Sequence, residues 1–250
     1  MEKNNVMNGF ILFKDTVCNF DEIKKNLKSD WNIEMNGEIK EEATVFNIGN
    51  TMVALSFIPA PVPNGEAEAN AKNNIFWEDG VKKTSEHQAQ MIVAVTGGKD
   101  AVKSSKLFVK VASSILKLEN TIGIYKYPTV IPSDMYIEVA EELKEDSFPV
   151  LDVVYIGGMY RSDNGICGYT EGLKYFGKKE IEVIDTDVEV FELYEFLIDI
   201  ANYVITCDVK LNDGETIGFS AEQKLPITVT KGVVFEEDTI KIEFNNSNKN

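Results

Sequence analysis

Thr51-Met52-Val53-Ala54-Leu55-Ser56-Phe57-Ile58 is an apolar, partly β-branched run that ends at Pro59-Ala60-Pro61-Val62-Pro63-Asn64-Gly65, and a second such run, Met91-Ile92-Val93-Ala94-Val95, precedes Gly97-Gly98. Both have the length and the turn-residue borders of buried strands. The polar span between them has helical character from Trp77 to Glu86. Just upstream, Gly49-Asn50 is a two-residue link suited to a primed turn, so Glu42 to Ile48 is expected to pair with Thr51 to Ile58 as a hairpin. Further upstream, Gly9 to Lys14 reads as a strand. Asn19 to Lys28 reads as a helix, with Asn19 or Asp21 as its cap and Phe20, Ile23 and Leu27 on one face. The order β-α-β-β-α-β is that of the ferredoxin-like split βαβ unit, which predicts a ferredoxin-like half over residues 1–98.

Downstream, Ala101, Ser105, Phe108, Val109, Ala112, Ile115 and Leu116 recur at helical spacing, and Ile122 to Tyr127 is strand-like. Three strand-like segments follow, Phe148 to Tyr160, Gly165 to Lys174 and Lys179 to Ile184, with Arg161-Ser162-Asp163-Asn164-Gly165 as the first link; they predict an antiparallel meander. The long helix expected from Asp187 to about Ile205 has a buried stripe of Val190, Phe191, Tyr194, Leu197, Ile198, Ala201, Val204 and Ile205, with Glu192, Glu195 and Asp199 opposite. No flexible linker separates the parts. The fold class is therefore α+β, with residues 99–250 forming a second α+β half that shares one continuous core with the first.

At 250 residues and 44% hydrophobic content the chain can bury a substantial core. Its 41 acidic against 25 basic residues give a net charge of -16, which repels nucleic-acid phosphates and anionic membranes and attracts basic proteins. Cys18, Cys167 and Cys207 are widely spaced and form no C-x-x-C pair, an arrangement that fits a reducing compartment. Phe10-Ile11-Leu12-Phe13 is too short for a signal-peptide core or a membrane span, so the cytoplasm is the expected location.

A single histidine, His87, argues against multi-histidine metal sites, and no phosphate-binding glycine signature or nucleophile elbow is present. No cofactor and no metal are implied. Pro59-Ala60-Pro61-Val62-Pro63 forces an extended exit from a buried strand, and a rigid rim carrying Pro61 and Pro63 suits binding or covers a sheet edge. Glu192, Glu195 and Asp199 form either a solvated helix face or a docking stripe for a basic partner.

Two patterns in the C-terminal half, Thr170-x-Gly172-x-x-x-Phe176-Gly177-x-x-Glu180 and Asp213-Gly214-x-Thr216-Ile217-Gly218, resemble an uncharacterised bacterial domain-of-unknown-function family. With the Pro61-x-Pro63 segment and His87-x-Ala89, the resemblance spans roughly Phe10 to Thr228. The family pattern has a second histidine where this chain carries Gln90, a departure that weighs against a metal site. The resemblance implies no established activity, only a likeness in style to bacterial toxin-immunity and accessory proteins.

The expected function is that of a non-catalytic binding protein that neutralises a basic effector. One alternative is a hydrolase with a cleft near the Pro59 to Pro63 rim containing His87 and Thr170. Another is a structural homodimer formed through an exposed sheet edge.

Overall fold

Asn19 begins the first helix as the sequence predicts: its side chain accepts the Glu22 N–H at 3.1 Å, and Phe20, Ile23 and Leu27 are buried along one face. In the computed structural model, which describes residues 6–162, 165–220 and 223–248, the chain divides into two compact units, Met1–Asp152 and Val153–Asn250.

The first unit contains β1 (Met7–Phe13), α1 (Phe20–Trp31), β2 (Ala43–Ile48), β3 (Thr51–Ile58), α2 (Glu66–Ala71), α3 (Gly80–Thr84), β4 (Ala89–Thr96), α4 (Ala101–Leu116), β5 (Thr121–Lys126), β6 (Thr129–Pro132) and α5 (Ser133–Ala140). Its six strands form one antiparallel sheet in the order β2-β3-β4-β1-β5-β6. The Gly49-Asn50 link does join β2 to β3, with Ile48 opposite Thr51. Helical character between β3 and β4 resolves into α2 and α3, so it begins earlier than Trp77 and is interrupted there.

The ferredoxin-like expectation meets a different strand arrangement. A split βαβ unit holds β1 and β2 parallel with one strand between them. Here β4 pairs with both β3 and β1, so three successive antiparallel pairings separate β1 from β2 and leave them antiparallel. Element order was readable, but the choice of neighbour for β4 depends on packing between distant segments. The predicted break after Gly98 also falls inside this unit, because β5 pairs with β1 and α4 packs on β1, β4 and β5. Gly9 permits that approach: a Cβ there would lie 2.9 Å from Ile124 Cδ1 and 3.2 Å from Phe108 Cζ. The opposite face of β1 and β5 is covered by Val62, Ala67 and Ala71, which cluster with Leu12, Ile122, Tyr125 and Val130.

At the junction, α6 (Val150–Val153) is a helical turn where a strand was predicted. The second unit then holds β7 (Tyr155–Ser162), β8 (Gly165–Glu171), β9 (Ile181–Thr186), α7 (Val190–Thr206), β10 (Thr216–Ile217), β11 (Leu225–Lys231) and β12 (Asp238–Ile242). The sheet order is β10-β11-β12-β9-β8-β7, antiparallel except for the parallel pair β12 and β9. The meander over β7, β8 and β9 is as predicted, although Asp163 and Asn164 of its first link lie outside the described residues.

The helix α7 is where predicted, but its buried stripe is rotated. Leu193, Phe196, Leu197, Ile200, Ala201, Val204 and Ile205 face inward, while Phe191 is 69% exposed. The segment is apolar enough to offer two candidate stripes, and the phase is set by packing; the stacking of Phe196 on Phe244 at 3.9 Å is part of that packing.

Candidate functional site

His87 sits just beyond α3 with its side chain fully buried. The Val62 N–H can only donate, and it lies 2.9 Å from Nε2, so Nε2 is the acceptor and the ring proton belongs on Nδ1. Nδ1 in turn lies 2.6 Å from the Thr84 carbonyl and donates to it, closing the last turn of α3. Both ring nitrogens are thus occupied by backbone, with Glu68 Oε1 a further contact at 3.7 Å from Nδ1. Gln90 acts beside it, donating from Nε2 to the Pro61 carbonyl at 3.1 Å.

Together these two side chains fasten the Pro59 to Pro63 rim. Val62 points inward at 5% exposure, and Pro61 and Pro63 on either side are exposed, the alternation expected of an extended, proline-fixed segment. The asparagines of the next span extend the fastening. Asn73 Nδ2 donates to the Pro128 carbonyl at 2.7 Å, Asn74 Nδ2 to the Val130 carbonyl at 3.0 Å, and Asn70 Nδ2 to the Tyr125 hydroxyl at 3.3 Å. The only signal that Asn70, Asn73 and Asn74 carry in the sequence is a density of amides between the proline rim and Trp77.

Thr170 belongs to the second unit and is fully buried. Its hydroxyl donates to Glu180 Oε2 at 2.9 Å and accepts the Ile181 N–H at 2.9 Å. Glu180, 2% exposed, uses Oε1 to accept the N–H groups of Gly172 at 3.0 Å and Lys174 at 3.1 Å. Burial pushes its pKa up, and the bonds from Gly172, Lys174 and Thr170 pull against that rise. Gly172 has φ 135 and a Cβ there would lie 2.7 Å from the Val153 carbonyl, so glycine is required. The spacing of Thr170, Gly172, Gly177 and Glu180 therefore encodes a buried carboxylate clamp on a tight turn.

The second pattern is also architectural. Asp213 Oδ1 accepts the Val229 N–H at 2.7 Å, Gly214 N–H donates to the Ile227 carbonyl at 3.0 Å, and Thr216 and Ile217 pair with Pro226 and Leu225. His87 and Thr170, grouped in the hydrolase alternative, lie in different units, and each is bonded within its own.

On α7, Glu195 and Asp199 are exposed and have no ion pair among the described residues, whereas Glu192 is half-buried. Phe191 and Tyr203, 69% and 42% exposed, continue the same line, so Phe191, Glu195, Asp199 and Tyr203 follow one another at four-residue spacing along an outward face.

One further buried acid carries no signal in the sequence. Asp152 is 1% exposed, and neither of its carboxyl oxygens, nor the hydroxyl of the fully buried Tyr136, has a hydrogen-bond partner among the described residues. Burial raises the Asp152 pKa well above the usual carboxylate range; Glu142 adds to the rise and Lys126 opposes it. The three cysteines are unpaired, and burial, helped by Glu42, pushes the Cys18 thiol up to about 12. Among the described residues no three His, Cys, Asp or Glu side chains converge as a metal site, and no helix is long and apolar enough to cross a membrane.

Comparison with known families gives one finding: residues 169–243 match the model of a family described as Domain of unknown function (DUF4261). That stretch contains the Thr170 to Glu180 clamp, α7 and the Asp213 to Gly218 turn, and the family it matches is, as expected, one of unknown function. No curated protein and no solved structure matches the chain.

Proposed function

We propose that this is a non-catalytic protein that binds a basic protein partner, with the outward face of α7 as the contact. The observation that carries this reading is the stripe Phe191, Glu195, Asp199, Tyr203. Two like charges four residues apart destabilise a helix by about 0.2 to 0.5 kcal/mol, and a cation from a partner would relieve that repulsion. An exposed aromatic at each end supplies the area that carries binding energy, while the carboxylates, on a chain of net charge -16, speed and orient encounter. Neutralisation of a basic effector, as an immunity or accessory protein would do, is the specific form of this reading.

The state of the candidate catalytic residues agrees with it. His87 uses both ring nitrogens to hold backbone, and Thr170 uses its hydroxyl within the Glu180 clamp.

The test is affinity capture from the native cell at low salt on the full chain, compared with Glu195→Lys/Asp199→Lys. The expected result is one stoichiometric basic protein that salt releases and the charge-reversed variant fails to retain. Capture that is indifferent to the charge reversal would overturn the reading.

A further inference from the structure

The connection between β11 and β12 is longer than its task requires. Antiparallel neighbours can be joined by two residues. Here Lys231 pairs with Asp238, and six residues, Gly232 to Glu237, lie between them. A fully buried carboxylate is spent on fixing their conformation. Glu182 Oε1 accepts the N–H groups of Val234 at 2.8 Å and Val233 at 3.1 Å, and Oε2 accepts the Thr239 hydroxyl at 2.9 Å and lies 2.8 Å from Lys241 Nζ.

Taking a charged pair out of water is expensive, and a solvated turn would have no need of it. Burial pushes the Glu182 pKa up, but the bonds from Lys241, Val234, Val233 and Thr239 outweigh it and hold the carboxyl below its usual range.

The rest of the loop is equally constrained. The Gly232 N–H donates to the Glu237 carbonyl at 2.8 Å and closes the base. Phe235 packs edge-on against Tyr169 at 5.5 Å, with Lys174 Nζ 5.6 Å from its ring centre. What this rigid frame presents outward is apolar: Val233 is 62% exposed and Val234 41%. Exposed Glu236 and Asp238 flank them without an ion pair among the described residues, while Glu237 is held by Lys174 at 2.5 Å.

We infer that Val233 and Val234 form a preformed docking tip that enters an apolar cleft on a basic protein, with Glu236 and Asp238 meeting lysine or arginine side chains around the cleft mouth. Ordering is completed on folding, so association does not have to supply it. The acidic flanks select a cationic rim, and two adjacent β-branched side chains select a narrow apolar slot. The inference rests on the basic-partner reading and adds a second contact to it, on a different element from α7.

Two measurements on the full chain test it. Amide hydrogen exchange should find the Val233 and Val234 N–H groups protected although their side chains are exposed, with protection lost in Glu182→Leu, which removes the acceptor; free exchange in the unsubstituted protein would overturn the preformed tip. The second measurement is selection from a displayed library of constrained random peptides. It should yield binders that combine apolar residues with Lys or Arg and that lose about tenfold affinity or more for Val233→Ser/Val234→Ser. Cationic binders that depend on Glu195 and Asp199 but ignore the serine substitutions would sink the tip and leave the basic-partner reading standing. Binders without cationic residues would sink both, and a selection that enriches nothing at the valines would sink the tip.

Discussion

Replacing Asp152 by asparagine should change how the stability of the first unit depends on pH. The side chain is 1% exposed, its oxygens have no hydrogen-bond partner among the described residues, and burial, seconded by Glu142, holds its pKa well above the ordinary value against the opposing pull of Lys126. A carboxyl whose folded pKa is raised binds its proton more tightly in the native state than in the unfolded chain. Its contribution is therefore fully present below the unfolded pKa of about 3.9, and is lost as pH rises from there through the folded pKa. The slope of that loss is about 1.4 kcal/mol per pH unit for one proton. The amide in Asp152→Asn does not titrate, so the unfolding free energy of the unsubstituted protein minus that of the variant should fall as pH is raised above about 3.9, by at most about 1.4 kcal/mol per pH unit. Carboxyls that do not interact with Asp152 cancel in the difference, and Glu142 is the one coupled acid that does not. Trp31 and Trp77 both lie in the first unit, so urea unfolding followed by tryptophan fluorescence reports the unit that contains Asp152. A difference that stays constant over this range would mean that Asp152 ionises like a solvated carboxyl and that the reasoning from burial is wrong.

Two further variants probe the same unit by the same assay. His87→Ala should cost about 3 kcal/mol, because it leaves the buried Val62 N–H without an acceptor and opens a cavity; a loss below about 1 kcal/mol would show that the ring does not hold the rim. Glu41 and Glu42 occupy a two-residue turn closed by paired bonds between Lys40 and Ala43 of 2.9 Å each, with φ of 47 and 62. Glu41→Asn/Glu42→Gly should raise stability by about 1 to 2 kcal/mol, since asparagine and glycine suit a left-handed backbone; an unchanged urea midpoint would show that the turn is not under strain.

Local signals were readable where a few neighbouring residues decide the outcome. Asn19 capping α1 and Gly49-Asn50 joining β2 to β3 are of this kind. Decisions between distant segments were not: nothing within Met91 to Val95 specifies β1 and β3 as its two neighbours, and that choice separates the observed sheet from a ferredoxin-like one. Phe191 shows the corresponding limit for helices, since α7 offers two apolar stripes and packing against residues such as Phe244 selects the one that leaves Phe191 outside. The clamp residues Thr170, Gly172 and Glu180 were visible as a pattern, but in so acidic a chain a glutamate destined for the interior looks like any solvated one. Asp152 and Glu182 are indistinct in the sequence for the same reason.

The parallel pairing of β12 with β9 also bears on how the chain matures during synthesis. Until residue 242 has emerged from the ribosome, β9 has one side without its partner, although β7 and β8 are already available to it. All six strands of the first sheet lie within residues 7–132. Nascent second units should therefore wait with an open strand flank, the type of surface chaperones cover, while the unit ahead of them is already folded.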